Sequence, residues 1–154
     1  MSEAAGRGRC HTCRVATDPD ELTRTLAPVF DADRRVRFAF VFGSVAAGTA
    51  GPGSDVDLAV SVEPRGTLLE DARLHDALVE TLGREDVDLV VLEDAPLWMQ
   101  YRIVAGRPVF SRDDVARVRF RASVEQRFLD FKPYHDAYLA AVHRRAREGR
   151  LSRG

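Results

Sequence analysis

Phe38-Ala39-Phe40-Val41-Phe42-Gly43-Ser44, and after ten intervening residues Asp55-Val56-Asp57-Leu58-Ala59-Val60, is the stretch that decides the fold. The run from Arg37 to Phe42 is nearly all apolar, which predicts a strand covered on both faces. Gly43-Ser44 breaks it. Val45 to Ala50 is a small-residue segment with room for a short helix, and Gly51, Pro52 and Gly53 make a turn. Val56 to Val62 is then a second apolar strand, closed by Pro64 and Gly66.

Upstream, Asp18-Pro19-Asp20-Glu21 is a helix start, with a capping acid, a first-turn proline and negative charge at the positive end of the dipole. Leu22, Leu26 and Val29-Phe30 give that helix its apolar stripe, and it should end near Asp31. Downstream, a helix is predicted over about Thr67 to Leu82, with Leu68, Leu69, Ala72, Leu78, Val79 and Leu82 inward and Gly83 as its stop. Val87 to Leu92 is a third strand. A helix from about Pro96 to Ala105, a turn at Gly106 and a short strand at Pro108 to Phe110 follow. A long helix begins near Asp113 and should break at Lys132-Pro133, because proline lacks an amide proton and disfavours helix in the residue before it. The order predicts a small α/β (α+β) mixed sheet with helices packed on it and a helical C-terminal extension. The expected divisions are a leader over 1–16, a core over 17–112, C-terminal helices over 113–148 and a tail over 149–154.

The chemistry sits where the strands begin and end. Residues two apart on a strand share a face, about 6.6 Å apart along the chain. Asp55 and Asp57 therefore set two carboxylates side by side at the mouth of an apolar strand. They repel and lose hydration, so one would take up a proton unless a cation were present. Mg²⁺ resolves the conflict, since it takes one or two carboxylates together with phosphate oxygens. Asp88 opens the third strand in the same way. Three such acids could hold two metals roughly 3.5–4 Å apart. Asp86 shares the face of Asp88 but falls in the Arg84-Glu85-Asp86 turn, and Asp88 is the preferred ligand. Gly43 allows close backbone approach to a ligand, a helix starting there aims amides at an anion, and Ser44 adds a hydroxyl donor.

Composition sets the outer bounds. The chain has 154 residues and a formal charge of −1, so it has room for one domain and no global pull towards nucleic acid or membrane. No apolar run reaches the ~18 residues of a membrane span, and no signal peptide is visible, so a cytoplasmic protein is expected. Arg144, Arg145, Arg147, Arg150 and Arg153 make the end basic, as solvated helix ends often are. Cys10 and Cys13 form one C-x-x-C with too few ligands for zinc and no preceding strand for a redox motif.

Gly43-Ser44-Val45-Ala46-Ala47-Gly48 through Ser54-Asp55-Val56-Asp57-Leu58 resembles the G-S…D-x-D pattern of the DNA polymerase β-like nucleotidyltransferase superfamily. More narrowly it is similar to the MNT branch, the minimal nucleotidyltransferases, over roughly residues 20–140. Arg121 to Tyr138, with Phe128-Leu129-Asp130-Phe131, resembles the C-terminal region of MNT antitoxins. The resemblance implies a polymerase β-like nucleotidyltransferase fold. It implies that Gly43 and Ser44 bind nucleotide phosphates, and that Asp55, Asp57 and Asp88 are catalytic metal ligands for two Mg²⁺ ions. Asp88 would help deprotonate the acceptor. It also implies ATP as substrate and a cognate HEPN-domain ribonuclease toxin as partner, neutralised by AMP transfer to a tyrosine.

Two other functions remain open: an antitoxin that neutralises by binding alone, and a small-molecule nucleotidyltransferase of the aminoglycoside-modifying type. A template-directed polymerase lacks finger and thumb domains here. Arg102, Arg107, Arg117, Arg119, Arg121 and Arg127 read by default as solvated helix-face arginines, with phosphate or partner contact as the alternative. Trp98, Met99 and Tyr101 read as packing on the sheet before base stacking. Phe120, Phe128 and Phe131 read as core or partner interface. His75, His135 and His143 lie on helical segments and need no catalytic part.

Overall fold

Two central apolar strands, β1 (Val36–Phe42) and β2 (Val56–Val62), pair antiparallel in a four-stranded mixed sheet of order β3-β2-β1-β4. The computed structural model describes residues 18–51 and 53–147. The Cys10/Cys13 segment, Pro52 and the last seven residues lie outside them. β3 (Val87–Val91) runs parallel to β2, and β4 (Arg107–Ser111) runs antiparallel to β1. Helices α1 (Pro19–Ala32) and α3 (Leu68–Leu82) cover one face; α4 (Leu97–Val104) and α5 (Asp114–Arg147) cover the other. Both central strands are therefore buried on both sides, as their unbroken apolar runs require.

Alternation assigns the side chains. Val41, Val56, Leu58, Val60 and Val62 face α1 and α3, meeting Leu22, Leu26, Phe30, Leu74 and Leu78. Phe38, Phe40 and Phe42 face α4 and α5. A register shift between Val36 and Phe38 returns Val36 to the first face, as an extra residue in one strand does. Across the ladder, Phe42, Phe40 and Phe38 stand opposite Asp57, Ala59 and Ser61. Large rings thus meet small or polar partners, and the only acid in that row lies at its open end.

The helix ends follow local chemistry. Asp18 caps α1, accepting a bond from the Asp20 amide at 3.1 Å. Thr67 and Glu70 form a reciprocal capping box at the start of α3. That helix stops at Gly83, whose amide bonds Val79 O at 2.9 Å.

Two helix readings are corrected. Leu68 and Leu69 are 83% and 61% exposed and Ala72 is exposed; Leu74, Leu78 and Leu82 form the inner line of α3. The i, i+4, i+8 spacing of those three leucines fixes the buried face. Pro133 does not break the last helix, which continues from Asp114 to Arg147. Pro133 is exposed, so its ring displaces no packed neighbour, and the Lys132–Asp136 pair at 2.6 Å bridges the weakened turn. The residue costs helix stability, about 3 kcal/mol in an interior, without ending the helix. Pro28 is likewise accommodated inside α1.

Candidate functional site

Asp57 and Asp88 occupy directly opposed positions on the parallel strands β2 and β3. Opposed residues on paired strands lie about 4.8 Å apart and point to the same face. That face is the α4/α5 side, because Val56 and Val87, their immediate neighbours, are buried on the other. Asp55 precedes β2 by one residue. Burial, the Asp88 carboxylate and then the Asp55 carboxylate push the Asp57 carboxyl above its ordinary range, while the Arg102 guanidinium pulls it back. The three predicted acids are thus within electrostatic reach of one another, with Asp57 half-buried at their centre.

Gly43 closes the site from the β1 side. Phe42 pairs with Asp57, so the chain turns into α2 (Gly43–Ala46) directly beside that carboxylate. A Cβ built on Gly43 would lie 2.1 Å from Asp57 Oδ2, and the residue has φ +67°. Only glycine fits both conditions. The sequence suggested close approach to a ligand; in the structure Gly43 makes its close approach to Asp57. Ser44 follows in the same turn, its carbonyl accepting the Thr49 amide at 3.0 Å.

Arg84 holds the acid-bearing segments in register, a role the sequence reading missed. Its guanidinium donates to Ser54 O at 2.6 Å, just before Asp55, and pairs with Asp86, just before Asp88. The Val56 amide also bonds Asp86 O at 3.0 Å. Asp86 therefore belongs to the clamp and Asp88 to the acidic row. The signal was present as a basic residue in the turn before an acid-bearing strand, but its partner is a backbone carbonyl thirty residues away. Replacing Arg84 by Leu should lower stability by about 1–3 kcal/mol, the cost of leaving the part-buried Ser54 carbonyl without its donor, as a urea melt would show.

Arg102 is the other residue the sequence left as solvated. It lies on α4, whose Ile103 and Met99 pack on the sheet, and its charge is felt at Asp57. Of the remaining candidates, Tyr101 stacks on Phe128 at 3.9 Å with planes 9° apart, and Phe120 packs against Phe38 at 5.7 Å. Trp98 is 47% exposed. His75 bonds Val87 O at 2.9 Å, a structural contact behind the acidic row. Gln100, on the same helix, donates to Leu92 O and Ala95 O and fixes the connection from β3 to α4.

The donor set suits a hard cation. Among the described residues no group of three or more acid, histidine or cysteine side chains is placed to hold a metal ion by itself. Mg²⁺ does not require one, since it completes its shell with water and phosphate oxygens around one or two carboxylates. The mutual repulsion at Asp57 is the feature that a cation would relieve. A groove of about 660 Å³ lies elsewhere, lined by Val29, Arg34, Arg73 and Leu74 between α1 and α3 on the opposite face. In its lining Arg35 pairs with Asp33 at 2.7 Å and with Glu70 at 3.9 Å, whereas the like charges around Asp57 repel, and the acidic row is the better candidate site.

No helix among the described residues is long and apolar enough to cross a membrane. No curated protein matches the chain. The family model described as polymerase beta, nucleotidyltransferase matches residues 24–115, which include all three acids, Gly43 and Ser44. Among solved structures, the chain is similar to one in a toxin–antitoxin crystal structure with AMP-PNP. The TM-score is 0.69 at 20% identity, covering 79% of this chain and 98% of that one. It is also similar to one in a complex of a tri-AMPylated Shewanella oneidensis HEPN toxin with MNT antitoxin. There the TM-score is 0.65 at 18% identity, with 81% and 98% covered. A structure assigned as a minimal nucleotidyltransferase is 34% identical over 58% of this chain and 93% of its own, with a TM-score of 0.50. The chain belongs to the polymerase beta nucleotidyltransferase family and has the fold of the MNT antitoxins.

Proposed function

We propose that the chain transfers AMP from Mg-ATP to a hydroxyl of a partner protein, a tyrosine of a cognate HEPN-domain toxin, and thereby acts as an antitoxin. The observation that carries this reading is the opposed pair Asp57 and Asp88, with Asp55 beside them and Gly43-Ser44 at the edge. Asp55, Asp57 and Asp88 would hold two Mg²⁺ ions, which supply Lewis acidity at the phosphates. Gly43 and Ser44 would cradle the triphosphate by backbone approach and a hydroxyl donor. The acceptor oxygen bonds to the α-phosphorus, the bond to the β-phosphate oxygen breaks, and pyrophosphate leaves. Asp88, the more exposed of the opposed pair, takes the acceptor proton. The relatives that hold AMP-PNP or an AMPylated toxin support adenine and a protein acceptor.

Incubation with labelled ATP, GTP, CTP or UTP and Mg²⁺, with either the protein encoded by the adjoining gene or an aminoglycoside as acceptor, tests this. The expected result is label from ATP on a tyrosine of that protein. Label on an aminoglycoside instead would favour the small-molecule reading. Transfer from none of the four nucleotides to any acceptor would remove the enzymatic one.

A further inference from the structure

We infer that the end of α5 beyond Phe128 is a docking stem for the acceptor protein, and that it takes a surface with an apolar groove and an acidic rim. This rests on the proposed reading that the acceptor is a protein. α5 has 34 residues, about 51 Å at helical rise. Its first part is anchored: Ala116 and Phe120 pack on the sheet, Val124 is fully buried, and Phe128 stacks on Tyr101 of α4. From Leu129 to Arg147 no described side chain is buried, a projection of about 28 Å.

That projection is not polar all round. Tyr134 is 76% and Tyr138 66% exposed, with Leu129 and Leu139 also open. At 100° per residue, Tyr134, Tyr138, Leu139 and half-buried Val142 fall on the side that Ala116, Phe120, Val124 and Phe128 together use to hold the core. The adhesive face of the helix therefore continues past the end of the domain. A lone helix of this length is marginal in water, and large apolar side chains aligned on one side mark a contact surface.

Charge selects the occupant. Arg121 and Lys132 are neutralised within the helix by Glu125 and Asp136. Arg127, Arg144, Arg145 and Arg147 make no ion pair among the described residues. Arg127 and Arg145 lie at the edge of the apolar line, one near each end. A second copy of α5 laid antiparallel would bring Arg127 of one chain against Arg145 of the other. An acidic rim on a different protein satisfies them. Asp130 on the same projection, and aliphatic Leu139 and Val142 in the line itself, argue for a protein groove over a phosphate backbone. The stem also begins beside the chemistry, since Tyr101, which Phe128 stacks on, adjoins Arg102, whose charge reaches Asp57.

The test uses the full chain and the protein encoded by the adjoining gene. Tyr134→Ser/Tyr138→Ser/Leu139→Ser removes exposed side chains only and should leave Tm and Mg-ATP affinity unchanged. Affinity for that protein should fall about 100-fold or more, and transfer to it should fall in step. Arg127→Glu/Arg145→Glu should weaken binding and flatten its salt dependence. Unchanged affinity in the triple variant overturns the proposal. So does a wild-type dimer that the triple variant dissolves, displacement of the partner by tRNA, or a wild type that binds no such partner. Asp57→Asn should bind the partner normally. If the wild type binds through the stem but transfers no label, the docking inference stands and the proposed chemistry falls. If label reaches a partner that the triple variant holds equally well, the reverse holds.

Discussion

Asp57→Asn should lower nucleotidyl transfer by about 10³-fold while making the nucleotide-free protein more stable. The loss of activity follows from the position of Asp57 at the centre of the acidic row, with Asp88 opposite and Asp55 alongside. A positioned carboxylate in such chemistry is worth roughly 10²–10⁴-fold. The gain in stability follows from the same crowding. Burial and two like charges hold the Asp57 carboxyl above its ordinary range, so its ionised form is disfavoured by the fold. Opposed like charges on neighbouring strands cost on the order of 0.2–1 kcal/mol, and asparagine removes one of them at nearly constant shape.

The pH dependence gives the sign independently. Because the folded protein raises this pKa, native chain binds more protons than unfolded chain between the ordinary carboxylate value and the folded one. The penalty is thus fully present above the folded pKa and fades as pH falls through it towards the ordinary range. Melting in EDTA should show Asp57→Asn ahead of wild type at neutral pH, with the two converging on acidification. Saturating Mg-ATP should reverse the order, since a ligand that binds only wild type adds stability to wild type alone. An Asp57→Asn variant that melts below wild type in EDTA at neutral pH would show that Asp57 is a stabilising partner of the fold and not a repelled member of a site.

The parts of this arrangement legible in the sequence are those set by local period and composition. β2 was readable from Val56 to Val62 because strand period 2, burial on both faces and flanking Pro64 and Gly66 agree. The acids stood out because each interrupts an apolar run at its beginning. What escaped was set by packing between distant segments. Leu68 and Leu69 are the exception, a misread period: at 100° per residue Leu69 lies half a turn round from Leu78 and Leu68 about 80° off the same line, so both fall outside the buried face. The Pro133 signal is local and real, but an exposed helix with no neighbour to clash against tolerates it. Arg84 and Arg102 were hidden for the same reason. Their partners, Ser54 O and Asp57, lie thirty and forty-five residues away, and surface arginines carry no mark of which one closes a site.

Gly43→Ala should cost more stability than the roughly 1–2 kcal/mol of a left-handed L-residue, and about 10²-fold in transfer. One part of the stability loss is backbone strain, and the rest is the displacement of the Asp57 carboxylate by the new Cβ. At φ +67° an L-residue is held in the left-handed region, which costs roughly 1–2 kcal/mol. The activity term is steric. The new Cβ would sit 2.1 Å from Asp57 Oδ2, so the carboxylate must rotate away from its place in the row. A misplacement of about 1 Å is enough for a 10²-fold loss when geometry carries the chemistry. Gly48 supplies the control, having φ +69° with nothing within 4 Å of a Cβ. Gly48→Ala should carry the same strain and leave transfer nearly intact. In an Asp57→Ala background the atoms Oδ2 and Cγ are gone and the nearest remaining contact to the new Cβ is 3.6 Å, an ordinary distance. The stability cost of Gly43→Ala should then shrink to that of Gly48→Ala, and the difference measured by urea melts of the four-variant cycle is the coupling between Gly43 and Asp57. A cycle with no coupling would mean that Gly43 is glycine for its backbone alone, and that the turn does not set the position of the central carboxylate.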